Sequence, residues 1–472
     1  MKDAQTIQEK IDQFLGYDSA YDFKKRDLLL NEKRAVFTYI IGYTSTISTE
    51  TILTALMNIQ ADEMARIENL NQLAQRHLPF GSCEVTNDPK LAAEEILRGS
   101  ASLTIEGFSE IILMDIRDVP LRGIEEPEKD RTLRGPHIGT NESLLANLVQ
   151  IRRYLRCGFL RTERFILGSE IKNEVALLSL KGKCDEVFLE KVRDKIKNAN
   201  VSNLSMTQER LSNILFPKKG LSLFNPFPKV RYTERPDVVA SSLMEGKIAI
   251  LCDNSPSVIL LPQSLFDFFE ETDDYYFPPL TASYLRFVRV LVFISSVFII
   301  PIWLLIVQNR EYLPGEFQFI LTDQNYAVPL FMQFLLIEFA IDGLKMASLN
   351  TPTTLSGSFS VIGGLLLGEF AVKSGWFIPQ SILYSAFSGI ANFVPTNIEL
   401  GYCFKFIRIS LILLVEFFGI QGFVCGIVFW IVTLFCTKGI GEKSYLYPFW
   451  PPNAKAIKKI VLKSVTGREK EI

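Results

Sequence analysis

Two hydrophobic rhythms divide the chain. Up to about Glu271, short apolar runs alternate with stretches dense in Lys, Arg, Asp and Glu; from Val290 to Cys436 the sequence is apolar and charges thin to isolated positions. In the first part, RAVFTYIIGY (Arg34 to Tyr43), ASLTIEG (Ala101 to Gly107) and SEIILMDIRD (Ser109 to Asp118) are rich in β-branched and large apolar residues and predict strands. Helical patterns intervene at Glu50 to His77 and Pro89 to Leu97, and a long helix over Glu142 to Arg156 leads into a second cycle. There RFILGSE and NEVALLSLKG predict strands, Asp185 to Asn198 and Met206 to Leu215 predict helices, and KIAILCD (Lys247 to Asp253) closes the set. The expectation is an α/β N-terminal cytosolic domain of two small α/β subdomains, 1–145 and 146–280, the second including a connector.

The apolar part predicts an all-α polytopic membrane domain over 285–440. Val290 to Val307 runs 18 residues without a charge, close to the roughly 20 that an apolar core of about 30 Å requires. Pro301 is tolerable inside such a span, and Trp303 lies too deep for an interfacial belt. Val328 to Leu349 is long enough to cross but carries Glu338, Asp342 and Lys345 at helical offsets of four and seven, so all three share a face. A charge facing lipid costs at least about 2.5–3.5 kcal/mol, so that face turns toward protein or water. A third segment, about Thr354 to Val372, places Ser356, Ser360, Gly364 and Gly368 at every fourth position and is closed by Glu369 and Lys373. Ile378 to Val394 is uncharged, and Phe406 to Cys436 is too long for one untilted crossing, with GIQG at Gly419 to Gly422 a natural break into two. Basic flanks favour the cytoplasmic side. Arg286 and Arg289 before the first span, and the Lys/Arg-rich tail in 441–472, put both ends inside and require an even count, four or six.

Composition narrows the chemistry. A net charge of −2 gives no reason to expect nucleic acid, and the start MKDAQTIQEK has no apolar signal region. Seven scattered cysteines without a CxxC pair suit a reducing compartment, and two histidines leave little material for metal or triad chemistry. No GxxxxGK[ST], GxGxxG, GxSxG or HExxH is present, and EEPEKDR (Glu125 to Arg131) reads as a solvated loop. Neither an enzyme nor a cofactor is expected.

NPFPKVRYTERPD, with Asn225, Pro226, Arg231, Tyr232, Glu234, Arg235, Pro236 and Asp237 as its marked positions, reads locally as a proline-stiffened connector. Together with VVASSLMEGKIAILCDNSPSVILLP (Val238 to Pro262), it resembles the signature of the GerA/SpoVAF family of spore germination proteins. EEPEKDRTLRG, the helix ending IRR, FFEETDDYY, the acid-bearing second span and GLLLGEFAVKSG extend the resemblance from about Tyr21 to Pro452. DNSPSVILLP and SLNTPTTL look closer to the SpoVAF branch than to the germinant-receptor A subunits. Thr140 after Gly139, and Pro395 to Leu400 where many members read PSYEL, depart from the family pattern. The resemblance implies a protein of the spore inner membrane, with its N-terminal domain and C-terminus on the core side. It implies a ring-shaped homo-oligomer that releases ions, alongside B-type and C-type receptor subunits or a small membrane partner.

Two groups are candidates for the ion pathway. Small residues every fourth position allow close helix approach, either within one chain or at a ring interface. In a ring, Val361, Leu365 and Gly368 would form successive constrictions and Glu369 an acidic mouth, unless Glu369 simply pairs with Lys373. Glu338 and Asp342 are the second group, against the alternative that Asp342 pairs with Lys345 and only fixes the helix. The reading is an ion-conducting oligomer. Its rivals are a non-conducting receptor or scaffold subunit and, less favoured for want of internal repeats, a proton-coupled transporter.

Overall fold

The computed structural model describes residues 2–78, 82–118, 132, 134–168, 172–199, 207–217, 224–271, 273–321, 326–350, 363–364, 368–369, 371–394, 397–437, 439 and 444–454. The chain divides into two compact units, 1–217 with 230–262, and 218–229 with 263–472. The segment 218–229, which the sequence pattern assigned to the second subdomain, groups with the helical unit.

The first unit is built twice over. One five-stranded antiparallel sheet contains β1 (Phe23–Leu30), β2 (Lys33–Ile40), β3 (Cys83–Thr86), β4 (Ala101–Ile105) and β5 (Ile111–Met114) in the order β1-β2-β4-β5-β3. A second contains β6 (Leu160–Leu167), β7 (Asn173–Leu180), β8 (Arg231–Thr233), β9 (Ile248–Cys252) and β10 (Val258–Leu261) in the order β6-β7-β9-β10-β8. Counted from its own first strand, the second order equals the first. The repeat extends to local chemistry. α5 (Pro89–Leu97) follows β3, and α9 (Pro236–Met244) follows β8. Both begin with proline, whose missing N–H is an orphan there anyway. Both lead into Gly99 and Gly246, whose φ of 106° and 87° a side chain would resist.

Several elements escape the hydrophobic pattern. β1 reads FKKRDLLL, with charges at four consecutive positions and so on both faces, yet pairs along its whole length with β2 through a tight turn at Asn31 and Glu32, both at positive φ. α1 (Lys2–Leu15), β3, β8 and β10 were likewise not expected. The single helix predicted over Glu50 to His77 is three: α2 (Thr46–Met57), α3 (Ala61–Ala65) and α4 (Leu70–His77). The breaks have local causes. Gln60 and Glu63 form a capping box, and Asn69 accepts from the Gln72 amide, so the polar residues between the apolar ones start new helices rather than continue one. α6 (Leu144–Tyr154) then joins the sheets, with α7 (Glu186–Lys197) and α8 (Thr207–Leu215) following β7.

The core lies on both faces of the first sheet: Leu28, Phe37, Ile52, Leu56, Leu103 and Met114 on one side, Ile11, Phe23, Ile40, Ile96 and Leu113 on the other. In the second subdomain, Leu148 and Ile151 of α6 and Val239 and Leu243 of α9 pack on Leu178, Leu251 and Leu260. The two sheets meet at Asp22, fully buried, which accepts from Arg152 Nε at 2.7 Å and from Thr162 Oγ1 at 2.6 Å.

The second unit is helical: α10 (Asp273–Tyr276), α11 (Pro279–Gln308), α12 (Leu330–Asn350), α13 (Pro379–Ala391) and α14 (Ile398–Cys436). α11, with 30 residues, and α14, with 39, are long and apolar enough to cross a membrane. α13, with 13 residues, reaches only about 20 Å at 1.5 Å per residue. Leu280, Phe287, Leu291, Ile294, Phe417, Ile420, Val424, Phe429 and Val432 lie exposed, an apolar surface that water does not favour. Trp303 is buried instead, its N–H donating to the Ile320 carbonyl at 3.0 Å.

α14 is a hairpin. Gly419, at φ 56° and ψ −138°, breaks it into 398–418 and 420–436, the two-segment option for that stretch. The arms pack antiparallel. Trp430 Nε1 donates to Ser410 Oγ at 2.7 Å, and a Cβ on Gly426 would lie 2.6 Å from Leu411. A Cβ on Gly422 would lie 2.0 Å from the Leu414 carbonyl oxygen, so the arms can meet this closely only with glycine there. Gly422→Ala is expected to cost about 1–3 kcal/mol, as overpacking does, and to shift Trp430 emission toward the wet side. A thermal melt followed by tryptophan fluorescence checks both; an unchanged midpoint would mean that the arms separate freely.

Candidate functional site

The helical unit places four ionised side chains together in its apolar interior. Glu338 and Asp342 are one turn apart on α12, and Lys405 and Arg408 are three residues apart on the first arm of α14. Those spacings put each pair on one helix face, acids facing bases. Arg408 meets Glu338 Oε1 through Nη2 at 2.6 Å and Nε at 2.8 Å, and its Nη1 donates to the Ser296 carbonyl of α11 at 3.1 Å. Lys405 Nζ lies 3.1 Å from Glu338 Oε2 and 2.5 Å from Asp342 Oδ2. Glu338, Arg408 and Lys405 are 1%, 0% and 4% exposed, so these charges are tolerable only because they are paired. The cluster ties α11, α12 and α14 together and carries two negative and two positive charges.

Asp342 therefore pairs with Lys405, not with Lys345 as the alternative had it. The Lys345 ammonium lies over the rings of Phe393 at 4.2 Å and Tyr402 at 5.7 Å. Lys405 and Arg408 were missed because they open an otherwise apolar run. The signal available was their spacing, KFIR, complementary to EFAID on α12.

Ser356 and Ser360 of the small-residue stripe and the pathway candidates Val361 and Leu365 lie outside the described residues, as does the basic tail from 455 onward. Gly364 and Gly368 are described, and a Cβ on either would meet nothing within 4 Å among the described residues. The glycine that packs inside the chain is Gly363, where a Cβ would come within 2.6 Å of Leu344. Glu369 pairs with Lys373 at 2.5 Å, both exposed.

The NPFPKVRYTERPD positions do not form one site, because the unit boundary passes through them. In the helical unit, Asn225 Nδ2 donates to Thr437 Oγ1 at 2.7 Å, Pro226 follows it, and Phe227 packs edge-on against Trp430 and Tyr445. In the α/β unit, Arg231 lies on β8, Tyr232 donates to Glu209 at 2.8 Å, and Glu234 accepts from Ser257 at 2.9 Å. Arg235 is fully buried and donates to Asp237, Thr132 Oγ1 and the Pro136 carbonyl, while Pro236 opens α9. The arginine thus pins the end of the RTLRGP loop.

Arg286 and Arg289, expected as a free basic flank, are half of a second cluster. Arg289 bonds Glu271 at 2.6 Å, Asp274 at 3.2 Å and the Phe269 carbonyl at 2.7 Å; Arg286 bonds Asp274 at 3.1 Å. FFEETDD supplies the acids. Burial pushes the Glu271 carboxyl above its ordinary value of 4.5; Arg289 opposes the shift, and Asp274 and Asp273 add to it. A raised native value means that the folded protein holds this proton longer than the unfolded chain does. Stability from Glu271 is therefore present at and below about pH 4.5 and is lost as pH rises through its raised value. Glu271→Gln is expected to flatten that part of the stability profile, read from thermal midpoints across pH 4–8; an unaltered profile would contradict it.

The family described as Bacillus/Clostridium GerA spore germination protein matches residues 7–471. Stage V sporulation protein AF of Bacillus subtilis (strain 168) is 30% identical over 95% of this chain and 90% of its own length. Spore germination protein KA of the same organism is 26% identical over 93% of this chain and 81% of its own, and spore germination protein A1 is 26% identical over 77% and 74%. Identity is thus higher to the Stage V protein than to these two germination proteins. The crystal structure of the N-terminal domain of the A subunit of the Bacillus megaterium spore germinant receptor GerK3 covers 54% of this chain and 91% of its own, with 22% identity and a TM-score of 0.39.

Proposed function

This chain belongs to the GerA family of Bacillus/Clostridium spore germination proteins, and from that footing we propose that it is a non-enzymatic integral membrane subunit of a homo-oligomer that conducts ions during germination. It works in the spore inner membrane, with the α/β unit and the C-terminus on the core side, beside B-type and C-type receptor subunits or a small membrane partner. The observation that carries the reading is the buried four-charge cluster between α11, α12 and α14, because intramembrane charges are retained where a path or a switch needs them. With Glu338 fully paired, the cluster acts as a latch holding α11, α12 and α14 in register, and ions pass between subunits. The open Cβ positions of Gly364 and Gly368 support a subunit interface there, since nothing among the described residues covers them. Glu369, paired within one chain, lies exposed on the same stretch, where a ring would bring its copies together.

Gly364→Leu tests this. The variant is expected to keep its fold by circular dichroism, to run as a smaller species in detergent by mass photometry, and to lose cation flux in liposomes. An unchanged oligomer with unchanged flux would overturn the interface. The complete pairing of Glu338 also favours a second reading, a non-conducting scaffold subunit, which predicts intact oligomers without flux.

A further inference from the structure

α13 carries a polar stripe that the charge cluster does not explain. At about 100° per residue, Ser381, Ser385, Ser388 and Asn392 fall within an arc of about 60°. The three serines are 0% exposed and Asn392 9%. Contacts on either side fix where this arc points. Tyr384 packs on Trp303 of α11 at 5.4 Å, Ser388 Oγ donates to the Ser296 carbonyl of α11 at 3.3 Å, and Gly389 faces Ile341 of α12. The arc therefore faces the groove between α11 and α12. α12 and α13 run side by side in the same direction, because Gln333 accepts from the Ile378 amide at one end and Lys345 covers Phe393 at the other. That register puts Ser385 at the level of Glu338.

Ser381 Oγ, Ser385 Oγ and Asn392 Oδ1 are buried without a hydrogen-bond partner among the described residues, and so is Asp342 Oδ1. Helix hydroxyls ordinarily satisfy themselves on a carbonyl one turn back, as Thr433 and Ser283 do here. Three orphaned groups on one narrow arc, with the bonded Ser388 between the second and third, form a polar lining rather than a packing seam. Buried groups of this kind are matched by water, which needs two to four polar partners.

We infer that this face of α13 lines a file of water inside each chain that passes protons, separate from the path between subunits. The inference rests on the membrane-subunit reading. Each hop breaks one O–H bond and forms the next, so one proton leaves the far end for each that enters. The charged groups on the helices around the file are Glu338, Asp342 and Lys345 of α12 and Lys405 and Arg408 of α14; Glu338 Oε1 is held by Arg408, while Oε2, 3.1 Å from Lys405 Nζ, has no hydrogen bond among the described residues. Asp342 Oδ1 and Glu338 Oε2 are the carboxylate oxygens without a hydrogen bond among the described residues, and Asp342 Oδ1 takes the proton. Lys405 then stays with Glu338, and release to the next water restores the pair. Two acids against three bases leave the site no net negative charge to hold a metal cation, so the file carries water and protons.

The test is proton and K+ flux in liposomes holding the full-length protein, read with an entrapped pH dye and with K+ efflux. Ser385→Val and Ser381→Val, which replace the hydroxyl with a methyl, are each expected to lower proton flux about tenfold, the size of one lost hydrogen-bond link, with K+ flux unchanged. Ser385→Thr, which restores the hydroxyl, is expected to keep it. Proton flux untouched by both valines overturns the inference alone, as does a threonine variant that loses as much as the valine. No flux of either ion overturns this inference and the conducting reading together.

Discussion

Glu338→Met in the full-length protein is expected to destabilise the helical unit by about 3–5 kcal/mol, the loss that follows when one partner of a buried ion pair is removed. The cause is the residue left behind. Arg408 is fully buried, and without Glu338 its guanidinium keeps, among the described residues, only the Ser296 carbonyl. Lys405 retains Asp342 at 2.5 Å, so the damage concentrates on Arg408. The double variant Glu338→Met with Arg408→Met removes both charges and leaves Lys405 and Asp342 paired. It is expected to recover most of the loss, because a buried pair replaced by apolar groups of similar volume is close to neutral. A double-mutant cycle on chemical unfolding, followed by tryptophan fluorescence, gives the coupling directly. The probe is selective: Trp303, Trp376, Trp430 and Trp450 all lie in the helical unit. Additive single effects would contradict a latch between α12 and α14.

Asp22→Ala is the second large effect, and it falls on the α/β unit. Asp22 is where the duplicated subdomains are joined. It lies just ahead of β1 in the first sheet, Arg152 comes from α6, and Thr162 comes from β6 in the second sheet. Arg152 is 0% exposed and also stacks on Phe23 at 4.8 Å. Removing the carboxylate leaves a buried guanidinium with no counter-charge, for an expected cost of about 3–5 kcal/mol. Because no tryptophan reports on this unit, hydrogen exchange is the measurement. β1, α6 and β6 should exchange faster together, while the tryptophan-detected transition of the helical unit stays in place. Faster exchange confined to the residues beside position 22 would contradict a joint between sheets.

What the sequence makes legible follows from what each element rests on. β9 is buried on both faces and reads as a continuous apolar run, and β4 and most of β7 are buried with only Ser and Thr among their apolar residues, so they stand out without any partner being known. α5 and α7 announce themselves by Asp88 before Pro89 and by Asp185. β1 and β3 do not, because an edge strand is defined by its neighbour more than by its own composition, and β1 carries Lys24, Lys25, Arg26 and Asp27. The two-subdomain organisation was legible as a second cycle of strand and helix patterns; the shared strand order, with a proline at a helix start and a glycine at its end, shows only in the fold.

The site was half legible. Glu338 and Asp342 stand out because acids are costly in an apolar helix. Their partners lie more than 60 residues later, and only the fold reveals that Lys405 and Arg408 come opposite them. NPFPKVRYTERPD reads as one stretch in the sequence, yet Asn225 and Arg235 serve different units. The α13 serines drew no attention because small polar residues in an apolar helix ordinarily signal close packing. Their burial without partners is a property of three dimensions.

The central claim is that these chains assemble into a membrane oligomer that conducts, and ion flux from liposomes holding the purified protein tests it most directly. The account predicts cation flux from the wild-type oligomer, a rise when Val361→Ala trims a constriction, and altered selectivity when Glu369→Gln removes the charge at the mouth. Well-folded oligomers that pass no ion under any condition, in the wild type and in both variants, would contradict it.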